Sequence, residues 1–590
     1  MSGPADLANC VIRIPARDSY STEGATLMGR QSANEGFLKA WFQHTCFPEY
    51  WCMARFRSEA EVFARVGHQA RADIADEKPV CRWIRQSDIY RVADIGTAYL
   101  PGPQVADMAW VRRRSSRAAA GDFSLVGMTH TTCELGIQDS LADMVTAPVY
   151  PWDAQICPSR SVQTMVKRLL DDESAWLREH VGATRIEWPQ LPVLPIGVDT
   201  RRFQPEPQER ARLRSHWRER WNLRADDVCV LYMGRIDLRT KANLFPTLDA
   251  LELAAQRLNS QSGPQLVLAL VGWFASEWDE AVLRDAVGAL HPGLRVILED
   301  GRSPDARLGV WQAADIFTSL VDNIQETFGL TPIEAMAAGL PVVVSDYDGY
   351  RESVREGIDG FRIPTLHPPM GSGRYLMELH SDQAIGYRDF VGRASALIGI
   401  DISAAAAAFT RLALDAQQRA AMGAAGARRA RDDYEWSRLI PRLQQLFTEL
   451  QALRLGRSSD LVQSPNRANA STDPPRRGDP FYTFSHYPSE QLTPDIRLLP
   501  GPLLPADAAG QRAALARQIN RPVYEALKAE LPLAVIARVL SRISAQPQGM
   551  TLAQLINNDP ELRATMPRYA GWLVKTGLLR VGHASPPSTL

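Results

Sequence analysis

Two carboxylates seven residues apart flank a glycine and a helix start in Glu326-Thr-Phe-Gly-Leu-Thr-Pro-Ile-Glu334. Strand-like text follows at once in Gly339-Leu-Pro-Val-Val-Val-Ser-Asp346. A loop that feeds a helix offers unpaired backbone N–H groups and a partial positive charge, which suits an anion such as a diphosphate. A carboxylate only accepts hydrogen bonds, so each Glu can hold hydroxyl donors of a sugar. About ninety residues earlier, Arg235 and Lys241 follow the apolar run Val228–Met233 and Gly234. A guanidinium and an ammonium there could neutralise a leaving phosphate. Each feature also has a structural reading. Thr331, Pro332 and Glu334 fit a capping box with Thr331 as N-cap, closed by Gly339 and Pro341. Arg235 and Lys241 alone read equally as two surface cations.

These residues resemble the E-x7-E signature of the family 4 glycosyltransferases. Further blocks in the same order are similar to that family: Leu194-Pro-Ile-Gly-Val-Asp-Thr-Arg-Arg-Phe203, Tyr232–Lys241, Asp348-Gly-Tyr-Arg-Glu352 and Gly357-Ile-Asp-Gly-Phe361. The resemblance runs through residues 190–365, extends in part over 401–450, is weak before 190, and leaves roughly the last 130 residues uncovered. It implies a GT-B fold, two Rossmann-like doubly wound domains facing a cleft, and a retaining transfer from a nucleotide-diphosphate sugar, UDP- or GDP-linked, with no metal and no further cofactor. It assigns catalysis to Glu326, Arg235, Lys241 and His130, with Arg239 able to stand in for either cation. Donor binding falls to Glu334, Phe328, Gly329, Leu330, Gly234 and Gly29. In this assignment Glu326 holds sugar hydroxyls and Glu334 the ribose; the 328–330 amides would cradle phosphate and sugar, since Gly329 permits close backbone approach. His130 reads otherwise as a structural strand-end histidine, and the paired glycines usual beside Gly29 are absent. The acceptor is not readable. The competing reading is an inactive GT-B scaffold that binds or regulates through its C-terminal module.

Short apolar runs alternating with helical patterns support that architecture independently, because strands buried on both faces belong to parallel sheets. Asn9–Ile14, Ser124–Met128 and Gln155–Cys157 read as strands of a first domain, residues 1–205. Val228–Met233, Gln265–Val271, Arg295–Leu298, Ile316–Ser319 and Pro341–Ser345 read as strands of a second, 206–430, interrupted by an insertion at 365–400. A crossover helix is expected over 431–455. Residues 456–504 read as a linker whose aromatic segment, Phe481–Tyr487, packs on a neighbouring domain or stacks on a sugar. Residues 505–590 resemble a winged-helix module. That module carries ten Lys or Arg against five Asp or Glu, too few on one helix for a DNA reader, so protein contact or self-association is the expected role.

Composition narrows the setting. The 590 residues are 45% hydrophobic with net charge −1, which supports large cores and argues against nucleic acid. Seven scattered cysteines without a C-x-x-C pair fit reduced thiols in the cytoplasm. The N-terminus lacks a signal-peptide pattern. The longest apolar run, Leu266–Ala275, is far below the ~20 residues that span a bilayer, so membrane contact is at most peripheral.

Overall fold

Six strands come first in the chain: β1 (Val11–Ile14), β2 (Tyr50–Ala54), β3 (Cys81–Arg85), β4 (Thr97–Leu100), β5 (Ser124–Met128) and β6 (Ala154–Ile156). They pair in parallel in the order β3-β2-β1-β4-β5-β6. Six more follow: β7 (Val228–Ile236), β8 (Leu266–Phe274), β9 (Arg295–Asp300), β10 (Ile316–Ser319), β11 (Val342–Ser345) and β12 (Gly360–Ile363). Their order, β12-β11-β10-β7-β8-β9, is the same winding repeated, again all parallel. Each sheet therefore has one point where the strand order reverses: between β1 and β4 in the first, between β7 and β10 in the second. Open doubly wound sheets bind ligands beyond the strand C-termini at that point. This computed structural model describes residues 8–16, 19–20, 29–72, 74, 78–115, 122–241, 243–462, 476, 478–528, 530–557 and 559–582.

Five of the six strands of the second sheet match the expected ones, β12 being the exception, because the sheet's central members are continuous apolar runs; every residue of Leu266–Val271 is at most 1% exposed. In the first sheet, β2, β3 and β4 were not expected. β3 is an edge strand, Cys-Arg-Trp-Ile-Arg, with Arg82 and Arg85 exposed, so it lacks the continuous apolar text. Arg112 and Asp153 form a buried bidentate pair at 2.7 and 2.8 Å beneath the sheet, and the carboxylate also accepts the Leu125 and Tyr150 amides.

The helix Trp436–Val462 returns to the first domain. Its Phe447 packs 6.1 Å from Trp41 and 6.5 Å from Tyr99, and Trp436 lies 6.1 Å from Phe37. Residues 365–400 form a β-pair, β13 (Thr365–Leu366) with β14 (Gly399–Ile400), and two helices, Arg374–Ser381 and Tyr387–Ser395. Leu376, Phe390 and Val391 of these helices cluster with Cys133 of the first domain and Ile324 of the second.

Residues 475–590 make a separate compact unit. Its antiparallel sheet is β15 (Arg497–Pro500), β16 (Met550–Thr551) and β17 (Leu579–Gly582), covered by the helices Ala508–Ile519, Leu533–Ser544 and Pro560–Lys575. The segment read as linker thus supplies a strand of this unit, because Leu498 is fully buried in its core. The linker reading also meets the end of the helix Trp436–Val462; residues 463–475 and 477 lie outside the described residues. Phe481, Tyr482 and Tyr487 are exposed by 85, 81 and 73% and are not part of this unit's core. Arg563, Arg568 and Lys575 are exposed on Pro560–Lys575. All seven cysteines are unpaired, and no helix among the described residues is long and apolar enough to cross a membrane.

Candidate active site

Close glycine contacts form the floor of the second domain's cleft. Gly234 and Gly272 are paired across β7 and β8, and a Cβ on Gly272 would lie 1.8 Å from the Gly234 carbonyl oxygen. Gly272 therefore serves close strand approach, and Gly234, at φ +152°, has a backbone conformation that side-chain-bearing residues rarely adopt, which gives each glycine a structural reason. Beyond it the chain turns around Asp237. That buried carboxylate accepts the Thr240 amide at 3.0 Å and its hydroxyl at 2.5 Å, while the Lys241 amide donates to the Asp237 carbonyl at 3.0 Å. The turn aims Lys241 across the strand-order reversal at the loop after β10. Its ammonium meets the Glu326 carboxylate at 2.7 Å. Arg235 leans on the same turn, 3.5 Å from the Thr240 hydroxyl and 3.9 Å from Asp237. Arg239 does not join them. It pairs with Asp389 of the insertion at 3.1 Å and lies over the Trp278 ring, so it is no substitute for either cation.

Sequence reasoning missed Asn323, which holds the pair together. Its side-chain amide donates to the Lys241 carbonyl at 2.6 Å, and its oxygen accepts the Gln325 and Glu326 amides, both at 3.1 Å. The visible signal was a buried-type segment ending in a polar amide just before the first signature Glu. Burial pushes the Glu326 carboxyl up, but Lys241 and the Thr327 and Phe328 amides more than offset this and hold it below its ordinary value. Gly329 and Leu330 lie at the mouth of the helix Leu330–Ala337.

The capping-box reading fails here. The helix N-cap is Gly329, with no side-chain cap, so Thr331 and Glu334 already lie inside the helix. Gly329, at φ +80°, turns the chain into the helix earlier than a Thr331 cap would. Gly339, at φ +84°, ends the helix as expected. Glu334 is left without a capping duty. Its residue is half-buried, and desolvation pushes its carboxyl up to about 7, with Arg202 opposing. Two neighbours behave alike: Asp322 is pushed to about 7 by burial, and Asp348 to about 8 by burial and the Glu326 charge.

From the first domain, His130 stands in the bend after β5. Its carbonyl accepts the Thr327 hydroxyl at 2.9 Å. Burial and the Arg30 charge pull its ring down to about 4, against a hydrogen bond with the Pro101 backbone. Nε2 is buried without a hydrogen-bond partner in the protein. The ring borders a cavity of about 40 Å³ with Asn34, Phe37, Tyr99 and Trp436. Ser159 donates to the Thr327 carbonyl at 2.9 Å, and the Arg160 amide to Glu352 at 2.5 Å. The insertion adds Tyr387, whose hydroxyl donates to Gln325 at 2.8 Å and lies 3.2 Å from Cys133 Sγ. Gly29 opens the helix Gly29–His44 at an exposed position with nothing within 4 Å of a would-be Cβ, so no crowding explains a glycine there. The residues before it, 21–28, lie outside the described residues. Among the described residues no three His, Cys, Asp or Glu side chains gather as metal ligands.

Two doubly wound parallel sheets of this order are the arrangement of the GT-B fold. Residues 214–385 match the family model of the glycosyl transferases group 1. A D-inositol 3-phosphate glycosyltransferase of Rhodococcus erythropolis is 25% identical over 337 residues, 53% of this chain and 72% of its own length. A phosphatidyl-myo-inositol mannosyltransferase of Mycobacterium tuberculosis is 31% identical over 195 residues, 33% of this chain and 43% of its own. The structure of Anabaena Alr3699/HepE in complex with UDP is similar at a TM-score of 0.46 and 15% identity, covering 76% of this chain and all of that one. Over residues 214–385 the chain is thus similar to the group 1 glycosyl transferases.

Proposed function

We propose that the chain moves a glycosyl group from a nucleotide-diphosphate sugar, UDP- or GDP-linked, to an acceptor hydroxyl with retention of configuration. The observation that carries this is the Lys241–Glu326 pair at 2.7 Å, set between β7 and β10 and in contact, through Thr327, with the His130 segment. The bond from the anomeric carbon to the β-phosphate oxygen breaks, its electron pair leaving with the diphosphate. The acceptor oxygen bonds to the same carbon from the same face, and its proton passes to the departing phosphate oxygen. Lys241 and Arg235 meet the growing negative charge, with the Gly329 and Leu330 amides beside them, so the reading requires no divalent cation. Glu326 orients sugar hydroxyls, and neutral His130 meets one more at Nε2. Glu334 takes the ribose.

A panel of nucleotide sugars tests the reading. The matching donor should raise the apparent unfolding free energy by about 2.7 kcal/mol at a hundredfold over its dissociation constant. No shift with any UDP- or GDP-sugar would reject it.

Glu334 gives the binding a pH signature. Its free carboxyl titrates at about 7, and ribose hydroxyls favour the ionised form. Binding then releases a proton, so affinity should rise about tenfold from pH 6 to pH 8 and level off above, if the bound group titrates near the ordinary ~4.3. The unliganded fold runs the other way: carboxyls raised to about 7 and 8 give stability that is lost as pH climbs through those values. Calorimetry of a nucleotide sugar, whose diphosphate diester does not titrate in this range, checks the slope. Glu334→Gln should flatten it; an unchanged slope removes Glu334 from the ribose.

A further inference from the structure

The first domain has its own cavity at the C-terminal edge of its sheet, about 270 Å³, where a single buried water needs only about 10–15 Å³. It is lined by Arg13, Ile14 and Pro15 at the end of β1, Met53, Ala54 and Arg55 at the end of β2, and Gln86 after β3. No residue proposed for the donor lies in it. Arg13 is half-buried, and desolvation pulls its guanidinium below the ordinary range, with the Asp107 charge offsetting only part. Arg55 is exposed at the rim, over the Phe56 ring. The nearby acid Glu59 is spent on backbone: its carboxylate accepts the Arg55 and Phe56 amides at 3.0 and 3.1 Å and so fixes the turn that carries Arg55. Charge differs between the two sides of the cleft. The donor side gathers Glu326, Asp322, Asp348 and Glu334 around its cations; the rim of the first domain presents Arg13, Arg55 and, beside His130, Arg30.

We propose that this cavity is the acceptor subsite and that it takes a phosphate group carried by the acceptor, with Arg13 and Arg55 as its cations and Gln86 as a neutral donor. The proposal rests on the glycosyltransferase reading above. Strand spacing supports it. β1 and β5 are separated only by β4, so at about 4.8 Å per strand the end of β1 lies roughly 10 Å from the end of β5. A phosphate seated between Arg13 and Arg55 leaves a sugar-sized body reaching toward His130, where its hydroxyl can meet the anomeric carbon. A guanidinium with a desolvated body favours this ligand, because bidentate Arg–phosphate bonds replace the water it has lost.

Titrating the full chain with inorganic phosphate separates the two anion sites. Arg55→Gln and Arg13→Gln should each weaken phosphate at least tenfold at the acceptor cavity, and Lys241→Ala should leave that binding intact. Arg57→Gln, an exposed neighbour paired with Glu61, controls for general charge loss. Loss confined to Lys241→Ala, an equal loss in Arg57→Gln, or no millimolar phosphate binding in the parent overturns the proposal. Because Arg55 is exposed, its variant keeps the test valid should Arg13→Gln fail to fold. Glycerol 3-phosphate against vesicles of phosphatidic acid in phosphatidylcholine then tells a soluble carrier from a lipid one, either being compatible with the subsite. Failure of the parent to bind any UDP- or GDP-sugar would instead sink the donor reading and leave the phosphate result standing.

Discussion

Replacing Lys241 by alanine is expected to lower kcat/KM for glycosyl transfer by about 10²–10³, the cost of removing one preorganised group that meets developing charge. The position is built, which is why the loss should be large. Asp237 organises the turn, Asn323 pins the Lys241 carbonyl at 2.6 Å, and the ammonium ends 2.7 Å from Glu326. Two effects combine. The leaving diphosphate loses a cation, and Glu326 loses the charge that opposes its burial. Since burial is the largest influence on Glu326, its carboxyl should rise in the variant once the Lys241 charge is gone. A protonated Glu326 is no longer a pure acceptor and grips sugar hydroxyls less well. The variant should therefore regain part of its rate as pH increases, a trend that Lys241→Arg should lack. Steady-state kinetics between pH 6 and 9 decide it. A loss below threefold, or a pH profile parallel to the parent, would remove Lys241 from the chemistry.

Whether a residue could be read from the sequence depended on whether its role is local. β8 was legible because a strand buried on both faces must be apolar at every position. β3 was not, because an edge strand tolerates Arg82 and Arg85, and their exposure hides the pattern. Glu326 and Lys241 stood out by type and by family resemblance, but their ion pair links residues 85 apart and no spacing announces it. Asn323 and Tyr387 were invisible for the same reason. An amide that ties a loop to a turn 82 residues away, and a phenol that touches both Gln325 and Cys133, leave no periodic trace. Thr331 misled because a capping box is a local pattern, whereas the helix start was decided by Gly329 and what lies against it.

That packing makes Gly329→Ala the second large effect. At φ +80° and ψ +93° the position lies where side-chain-bearing residues are rare, and a Cβ would sit 1.9 Å from Tyr350 Cε1. Tyr350 has little room to yield: it is 2% exposed, and its hydroxyl is 3.0 Å from the Ser319 hydroxyl. Backbone strain of about 1–3 kcal/mol and overpacking of a similar ~1–3 kcal/mol would together consume much of a typical 5–15 kcal/mol stability. The chain can escape by moving the 326–330 loop, but a shift of about 1 Å at a reacting centre costs on the order of 10² in rate. The variant is thus expected to lose either several kcal/mol in denaturant unfolding or at least 10² in kcat/KM. Gly136→Ala, a helix position with nothing within 4 Å of the new Cβ, should be neutral or stabilising. A double-mutant cycle with Tyr350→Leu locates the cause, since a smaller neighbour should recover at least 1 kcal/mol of the loss if the collision is with that ring. Additive effects in the cycle would place the damage in the backbone conformation alone, and a fully active, fully stable Gly329→Ala would show that the loop needs neither its turn nor its contact.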